Sequence, residues 1–392
     1  YSAVQLFLRR ASQVRRNFAP AEDEARAVAR ICRLVEGLPL AIELAAAALH
    51  TRSCTAIADA IERSSMGLSS ELRAMPQRHR SIRAAFEHSW RLLSAGEQQI
   101  FPRLSVFRGG FDQDAAAEVA RATPQTLAVL IDKSLLRWDG VARYDMHELL
   151  RQFAGEKLEQ AGDTRQACNA HLLHYLTLAE SAESQLAGAE VVRELNRLDV
   201  EHDNTRAGLR WALEQGDSAS ALRLSAAMSK FWEVRGFLSE ARQWLEQALT
   251  LSRELGANTS ADPALPRWSA RALTQAGRLA WCQADFTSAR DLLEESLNVH
   301  RQLNDQHGFN FVLGILGGLA FDQGDYATAR TRYEEYLASL RAEGDPRWVG
   351  DALFCVGIVA YNQGEYTAAQ AQLEESLTTP KASPRIWTIS SC

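Results

Sequence analysis

A forty-residue period in the second half of the chain constrains the fold more than any other feature. It relates the small residues Gly277, Gly317 and Gly357 and likewise Ala289, Ala329 and Ala369. The same spacing relates Gln283, Gln323 and Gln363; Phe286, Tyr326 and Tyr366; and Leu297, Leu337 and Leu377. Self-similarity at a fixed period indicates stacked units that bury apolar surface against their neighbours. The sequence therefore predicts an α-solenoid over residues 165–379, with a more degenerate copy around Gly236 and Leu249.

The small residues of the period are predicted to pack where two helices of a hairpin cross. A glycine inside a helix costs roughly 1 kcal/mol relative to alanine, so its recurrence indicates a packing requirement. The order small residue, Gly-Asp-Tyr, then Ala resembles the tetratricopeptide repeat, whose usual length is shorter, at about 34 residues. Such hairpins curve into a superhelix, and we expect its concave face to bind a protein or peptide.

A pair of glutamates also recurs once per period, at Glu294-Glu295, Glu334-Glu335 and Glu374-Glu375. Acid/base catalysis needs two carboxyl groups in unlike environments. No carboxyl group in a different environment accompanies these pairs. The pattern favours a solvated helix face. Residues 380–392 lack the pattern and are predicted to be a disordered tail.

Residues 1–63 predict a small helical subdomain with one sharp corner. An apolar stripe through Val28, Ile31 and Leu34 ends at Gly37, and Pro39 opens the next helix. A helix-Gly-Pro-helix corner requires no ligand.

Residues 64–81 are rich in Ser, Gly, Arg and Pro and predict a linker. Residues 82–161 resemble a winged-helix domain, with four short helices and a two-stranded wing around the turn Asp139-Gly140. The helix in the recognition position, residues 124–135, offers only Gln125, Asp132 and Lys133 as polar contacts. A DNA-reading helix needs more basic and amide side chains, so we do not expect this chain to bind DNA directly.

His147 lies at a predicted strand-to-helix junction. The first amides of a helix lack internal partners, so a histidine there can help them hold a phosphate, or it can simply cap the turn. The residues themselves leave both readings open.

Two short motifs resemble those of the NB-ARC, or STAND-type, signal-transduction ATPases. Met146-His147-Glu148 is similar to the Met-His-Asp motif of that family, with Glu in place of Asp, and residues 37–41, Gly-Leu-Pro-Leu-Ala, are similar to its GLPL motif. Their order, followed by repeats, resembles large bacterial transcriptional regulators that join such an ATPase to tetratricopeptide-like repeats. The resemblance implies a helical lid at residues 1–63, a proline that touches adenine, and nucleotide contacts by Gly37, Pro39 and His147.

The resemblance also implies that this chain is a fragment. It contains no Gly-x-x-x-x-Gly-Lys-[Ser/Thr] loop, on which phosphoryl chemistry in that class depends. We therefore expect no enzymatic activity and no cofactor in this chain alone. ADP or ATP with magnesium would bind in a full-length parent that supplies the missing ATPase core in cis.

Charge and cysteine content exclude several other functional classes. Residues 1–160 carry 22 Lys and Arg against 19 Asp and Glu, whereas residues 161–392 carry 21 against 30, so the repeats do not suit nonspecific nucleic-acid binding. The six cysteines show no zinc spacing, and no apolar run is long enough for a membrane span. These features predict a cytoplasmic protein without a metal site.

Two functions remain in view. The first is a nucleotide-gated switch whose repeats sense a protein or small-molecule signal and which controls transcription in the parent. The second is a non-enzymatic repeat scaffold for protein-protein interaction.

Overall fold

The computed structural model describes residues 2–16, 18–66, 77–186, 190–256, 263–343 and 346–379. These ranges contain nineteen α-helices and a single two-stranded hairpin, so the predicted mostly helical class is confirmed. The chain divides into two compact units, Tyr1–His174 (unit 1) and Tyr175–Cys392 (unit 2).

Unit 1 begins with four helices around one apolar core. They are α1 (Ser2–Val14), α2 (Glu22–Leu34), α3 (Pro39–Ala47) and α4 (Cys54–Met66), with a 3-10 turn at Ala48–His50. Phe7, Ile31, Ile42 and Ile57 are fully or almost fully buried in this core. The small residues of α3, including Ala45 and Ala46, allow α1 to pack closely against it.

The rest of unit 1 consists of short helices and the hairpin. These are α5 (Gln77–Arg91), α6 (Ala95–Arg103), a 3-10 turn (Leu104–Val106), α7 (Gln113–Ala120), α8 (Pro124–Asp132), β1 (Arg137–Trp138), β2 (Tyr144–Asp145) and α9 (Glu148–Gln160). The strands are antiparallel, with Trp138 opposite Tyr144, and Phe111 adds an isolated bridge to Tyr144. The rings of Phe107, Phe111 and Tyr144 stack in succession.

Helix α5 belongs to both parts of unit 1. Ala84 and Ala85 complete the first core, whereas Phe86 and Trp90 contact the ring of Phe153 on α9. A second link is Arg10 of α1, whose guanidinium donates to the carbonyl of Ile131 at the end of α8.

Helix α10 (Thr164–Gln185) contains the boundary between the units, and unit 2 then continues as helical hairpins. The remaining helices are α11 (Val191–Glu214), α12 (Ser218–Arg235), α13 (Leu238–Gly256), α14 (Leu265–Cys282), α15 (Phe286–Gln302), α16 (Gln306–Asp322), α17 (Tyr326–Glu343), α18 (Pro346–Asn362) and α19 (Tyr366–Thr378). Each helix from α11 onward packs against the next in sequence. Helices α14 and α15, α16 and α17, and α18 and α19 form the three hairpins of the forty-residue period.

The described residues include only the two ends of the predicted linker and none of the predicted tail. Of the linker 64–81, residues 67–76 lie outside the described residues, and the flanking positions form the end of α4 and the start of α5. All of the predicted tail, residues 380–392, lies outside them as well. Within the described ranges no helix is both long enough and apolar enough to span a bilayer.

Candidate functional site

The corner between α2 and α3 is built from two residues in the left-handed region. Glu36 and Gly37 have φ angles of 52° and 69°, and the amide of Gly37 donates to the carbonyl of Cys32 at 2.9 Å. Pro39 is the first residue of α3, where its missing amide hydrogen costs nothing. Gly37 and Pro39 are exposed and Leu40 is buried, so the corner displays its glycine and proline on the surface of unit 1.

His147 caps the first turn of α9. Its Nδ1 accepts a hydrogen bond from the amide of Leu149 at 3.2 Å, and the neighbouring Met146 is buried. Because Nδ1 accepts, the proton of the neutral ring lies on Nε2. The half-buried ring therefore caps the helix with one nitrogen and keeps a donor on the other. The two readings of His147 do not exclude each other.

Arg151 holds this junction together, although no sequence pattern predicted its role. Its guanidinium contacts the carboxylates of Asp145, at 3.2 Å, and Glu148, and it donates to the carbonyl of Met146 at 2.9 Å. The side chain is only 12% exposed. One cation thus ties the end of β2 to the first turn of α9, on either side of His147. An arginine one turn after the Met-His-Glu motif was the available signal.

The predicted nucleotide residues lie on helices with different packing partners. Helix α3, which begins at Pro39, packs against α1 and α5, whereas α9, which follows His147, packs against α6 and the 3-10 turn 104–106. Helix α5 is the element that contacts both α3 and α9. A shared nucleotide site would therefore have to form between two groups of helices that α5 joins.

The small residues of the period lie at the crossing of each hairpin. A methyl group built at Gly277 would lie 2.7 Å from Leu293, one at Gly317 would lie 2.5 Å from the ring of Tyr333, and one at Gly357 would lie 2.9 Å from Leu373. Ala289, Ala329 and Ala369 are buried on the second helices. Nothing larger fits at the glycine positions without displacing the facing side chain.

One arginine in each of three successive hairpins binds the next hairpin, and no sequence pattern predicted these contacts. We call this series the arginine ladder. Arg242 on α13 binds Gln283 and Asp285, and Arg290 on α15 binds Gln323. The same position on α17, Arg330, binds Gln363 and Glu365. The recurring glutamine of the period therefore receives an arginine from the preceding hairpin. At the next copy of the donor position stands Gln370, which hydrogen-bonds Glu374 of its own helix.

The glutamate pairs lie on exposed or half-exposed helix surface, in agreement with the expected solvated face, and several of them also bind arginines of neighbouring helices. Arg253 binds Glu295 and Arg341 binds Glu375, each from the preceding hairpin, while Arg332 reaches back to Glu294. These carboxylates stay partly exposed, and each neutralises a cation on a neighbouring helix. The partners are about one period apart in the chain, and this separation hid the pairing from local sequence patterns.

Groups suited to catalysis do not stand out in the described ranges. Burial raises the pKa of Cys54 to about 11 and that of Cys355 to about 12, so neither thiol is an activated nucleophile. His171 packs against the ring of Phe107, and His174 binds Glu118 at 2.5 Å. Among the described residues, no group of three His, Cys, Asp or Glu side chains is placed to hold a metal ion.

Comparison with known proteins identifies one family model. Residues 269–307, which cover most of α14 and all of α15, match the tetratricopeptide repeat. The chain contains a tetratricopeptide repeat. The resemblance drawn from the forty-residue period is thereby confirmed for this hairpin, and such repeats generally mediate protein-protein interaction.

Two kinds of curated relative come from Mycobacterium tuberculosis. "Putative HTH-type transcriptional regulator Rv0890c" is 33% identical over 321 residues, which cover 77% of this chain and 35% of the regulator. "Uncharacterized protein Rv0894" is 36% identical over 172 residues, covering 41% of this chain and 44% of that protein. This chain spans about a third of the length of the regulators that it matches.

Two solved structures share a looser likeness. BtubC (BKLC) from P. vanneervenii has a TM-score of 0.39 at 18% identity, covering 54% of this chain and 90% of its own. A Signal Transduction ATPase with Numerous Domains (STAND) protein with a tetratricopeptide repeat sensor, PH0952 from Pyrococcus horikoshii, has a TM-score of 0.38 at 15% identity, covering 95% of this chain and 59% of its own.

Proposed function

We propose that this chain is the lid, winged-helix and repeat-sensor part of a nucleotide-gated transcription regulator of the NB-ARC type. One observation carries the proposal: the match to the mycobacterial regulator extends over 321 residues. Neither Tyr1–His174 nor Tyr175–Cys392 is long enough to contain that match, so it includes parts of both units. The combination of the two units, rather than the repeat alone, is shared with a protein named as a regulator.

In this proposal residues 82–161 form the winged helix. The hairpin β1-β2 with the bridge at Phe111 would be its wing, and α8 would stand in the recognition position. Lys133, the only basic side chain there, binds Glu97 at 2.6 Å and the carbonyl of Leu92. Because this lysine is already bound within unit 1, it is poorly placed to contact a base, which argues against direct reading of DNA. Gel shifts on duplex DNA at about 50 mM salt should therefore show no complex with this chain.

Gly37, Pro39 and His147 would contact ADP once the parent supplies its phosphate-binding core. The exposed corner offers an apolar proline, and the Nε2 hydrogen of His147 suits a phosphate oxygen, because its other nitrogen is occupied by Leu149. Bound ADP would supply the negative charge that this donor stabilises, and so favour the resting form.

The test is the ADP affinity of the parent protein carrying His147→Ala, measured by calorimetry. We expect a loss of at least tenfold, which corresponds to about 1.4 kcal/mol. His50→Ala, at an exposed histidine elsewhere in unit 1, is the matched control. Unchanged affinity in His147→Ala would remove this residue from the nucleotide site.

The sensor surface would be the concave face formed by the first helices of the hairpins. Phe311 on α16 and Phe354 on α18 are exposed aromatic side chains on those helices, which supports a protein or peptide ligand. In a transcription reporter driven by the parent, Phe354→Ser should abolish activation. Leu303→Ser, at an exposed apolar residue that follows the second helix α15, should leave it intact.

The match of α14 and α15 to a tetratricopeptide repeat favours a second candidate, a repeat scaffold without a switch. The two candidates differ in the coding sequence upstream of Tyr1. An ATPase core in frame supports the switch, and a start codon at that place supports the scaffold.

A further inference from the structure

A hydrogen bond between two buried rings joins α11 to α12. The indole Nε1 of Trp232 donates to Nε2 of His202 at 2.9 Å. Trp232 is 0% exposed and His202 is 7% exposed. The ring centroids of Phe231 and Phe237 lie 5.1 Å and 5.0 Å from that of the imidazole. Because its surroundings are mostly apolar, water can replace this bond only when the joint between the two helices opens.

The later hairpins use a different residue at the position of Trp232. The degenerate copy precedes the next hairpin by 48 residues, as the spacing from Ala241 to Ala289 shows. By that spacing and the forty-residue period, the copies of Trp232 are the buried residues Ala280, Ala320 and Ala360. An alanine side chain forms no hydrogen bond, so this position contributes only packing in the later hairpins. The joint between α11 and α12 depends instead on a polar contact.

The hydrogen bond requires a neutral imidazole. Since Nε2 of His202 accepts from Trp232, the proton of the neutral ring lies on Nδ1. Burial, together with the nearby Arg206, lowers the pKa of His202 from its ordinary value of 6.5, so the ring is neutral at neutral pH. Protonation would add a hydrogen to Nε2 and set it against the indole N–H. Two donors cannot bond to each other, so the contact would be lost.

A carboxylate lies within reach of the protonated ring. Oε1 of Glu240 on α13 is 3.8 Å from Nε2 of His202. The guanidinium of Arg206 binds both oxygens of Glu240, at 2.6 Å and 2.5 Å, and the indole of Trp244 donates to Oε1 at 3.2 Å. A protonated ring that turned toward Glu240 would leave the indole N–H of Trp232 buried without an acceptor, which is costly.

The other charges near the ring are already paired. Asp199 and Asp203 lie on α11 and favour the protonated ring. Asp199 binds Arg235 of α12, and Asp203 binds Arg206. Glu240 is therefore the carboxylate that a protonated His202 would approach.

We propose that the hydrogen bond from Trp232 to His202 is an acid-sensitive switch at the start of the repeats. Protonation of His202 releases Trp232 and loosens α11 from α12, while the later hairpins, with alanine at the position of Trp232, stay packed. The switch is built from side chains of unit 2 alone, and it does not depend on nucleotide gating.

The test follows the indole N–H signal of Trp232 by NMR in the full chain labelled with ¹⁵N-tryptophan. The signal is assigned by its loss in Trp232→Phe. Between about pH 8 and about pH 5 it should shift or disappear, with a midpoint below the ordinary histidine pKa of 6.5. The midpoint should coincide with that of the His202 ring, measured on its Cε1 proton.

Hydrogen exchange measures the loosening of the joint. Relative to the intrinsic rates, amides of residues 198–205 should lose about tenfold of their protection at about pH 5 compared with about pH 7.5. In His202→Gln the amide oxygen still accepts from Trp232 but does not titrate in this range, so both pH effects should vanish. His307→Gln, at an exposed histidine of unit 2, is the matched control and should retain both.

Two results would overturn the proposal. The first is an indole signal that stays unchanged to about pH 5, or that changes with a midpoint different from that of the His202 ring. The natural chain alone gives this result, even if His202→Gln does not fold. The second is a loss of protection at residues 198–205 that persists in folded His202→Gln, because another group would then control the joint.

Discussion

Unit 2 repeats one set of contacts from hairpin to hairpin, whereas unit 1 uses each of its contacts once. The crossing at Gly277 recurs at Gly317 and Gly357, and the arginine of the ladder recurs at every hairpin up to α17. In unit 1 the His147 junction depends on Arg151, and α5 contributes side chains to both cores. A repeated contact can contribute little to the free energy of unfolding, because equivalent contacts in neighbouring hairpins remain when it is lost. A contact that occurs once has no such equivalent.

The largest expected effect comes from filling a crossing in unit 2. Gly317→Val should destabilise the chain by at least about 3 kcal/mol, because the new side chain overlaps the ring of Tyr333 and this overlap outweighs the slightly better helix propensity of valine. Denaturant unfolding followed by far-UV circular dichroism measures the change. Gly96→Val in α6, where an added Cβ meets nothing within 4 Å, should change stability by less than about 0.5 kcal/mol. Equal losses at the two sites would refute the packing argument.

A buried histidine should make unit 1 sensitive to acid. His88 on α5 is 3% exposed, and burial, with nearby arginines, lowers its pKa to about 4 from an ordinary value near 6.5. The unfolded chain therefore binds this proton more tightly between these values, so stability is unaffected above about pH 6.5 and falls toward pH 4. The loss should reach about 3 kcal/mol at pH 4 relative to pH 8.

His88→Phe should remove this dependence. Hydrogen exchange of α5, followed by mass spectrometry at pH values from 8 to 4, locates the effect in unit 1. His50→Gln, at an exposed histidine, is the control. If the acid sensitivity of α5 persists in His88→Phe, another group must be responsible.

Removing the contacts of Arg151 in unit 1 should have an intermediate effect on stability. Arg151→Met keeps the apolar stem but leaves Asp145, Glu148 and the carbonyl of Met146 without their shared donor. We expect a loss of about 2 kcal/mol, less than for a fully buried pair because both carboxylates remain hydrated. Amide exchange of residues 146–150 should accelerate, which would not occur if the turn were held by the hairpin alone. Arg137→Met on exposed β1 provides the comparison.

The smallest effect is expected for one member of the ladder. Arg330→Met removes contacts to Glu334, Gln363 and Glu365, all at the surface, and should cost less than about 1 kcal/mol. Denaturant midpoints at low and high salt provide the measurement. A loss as large as that of Arg151→Met would mean that repetition does not dilute the contribution of a single pair.

The contrast between the units also explains what could be read from the sequence. Periodic features were visible because each copy supports the others, and the corner at Gly37 and Pro39 was visible because its residues have backbone preferences of their own. Arg151 was missed because a lone arginine on a helix resembles any surface charge. The ladder was missed because its partners lie about one period apart in the chain, and a charge pattern reveals pairing only when the fold is known.

Among the other hairpins, each arginine of the ladder contacts only the following one, and this affects how the number of hairpins can change. Because equivalent positions lie one period apart, deleting one whole period rejoins matching surfaces: Arg242, which now binds Gln283, would face Gln323. Duplication of a period would extend the series in the same way. Single hairpins in this region can thus be gained or lost while equivalent contacts form between the remaining hairpins. The size of the domain can therefore change during evolution without changes in its packed core.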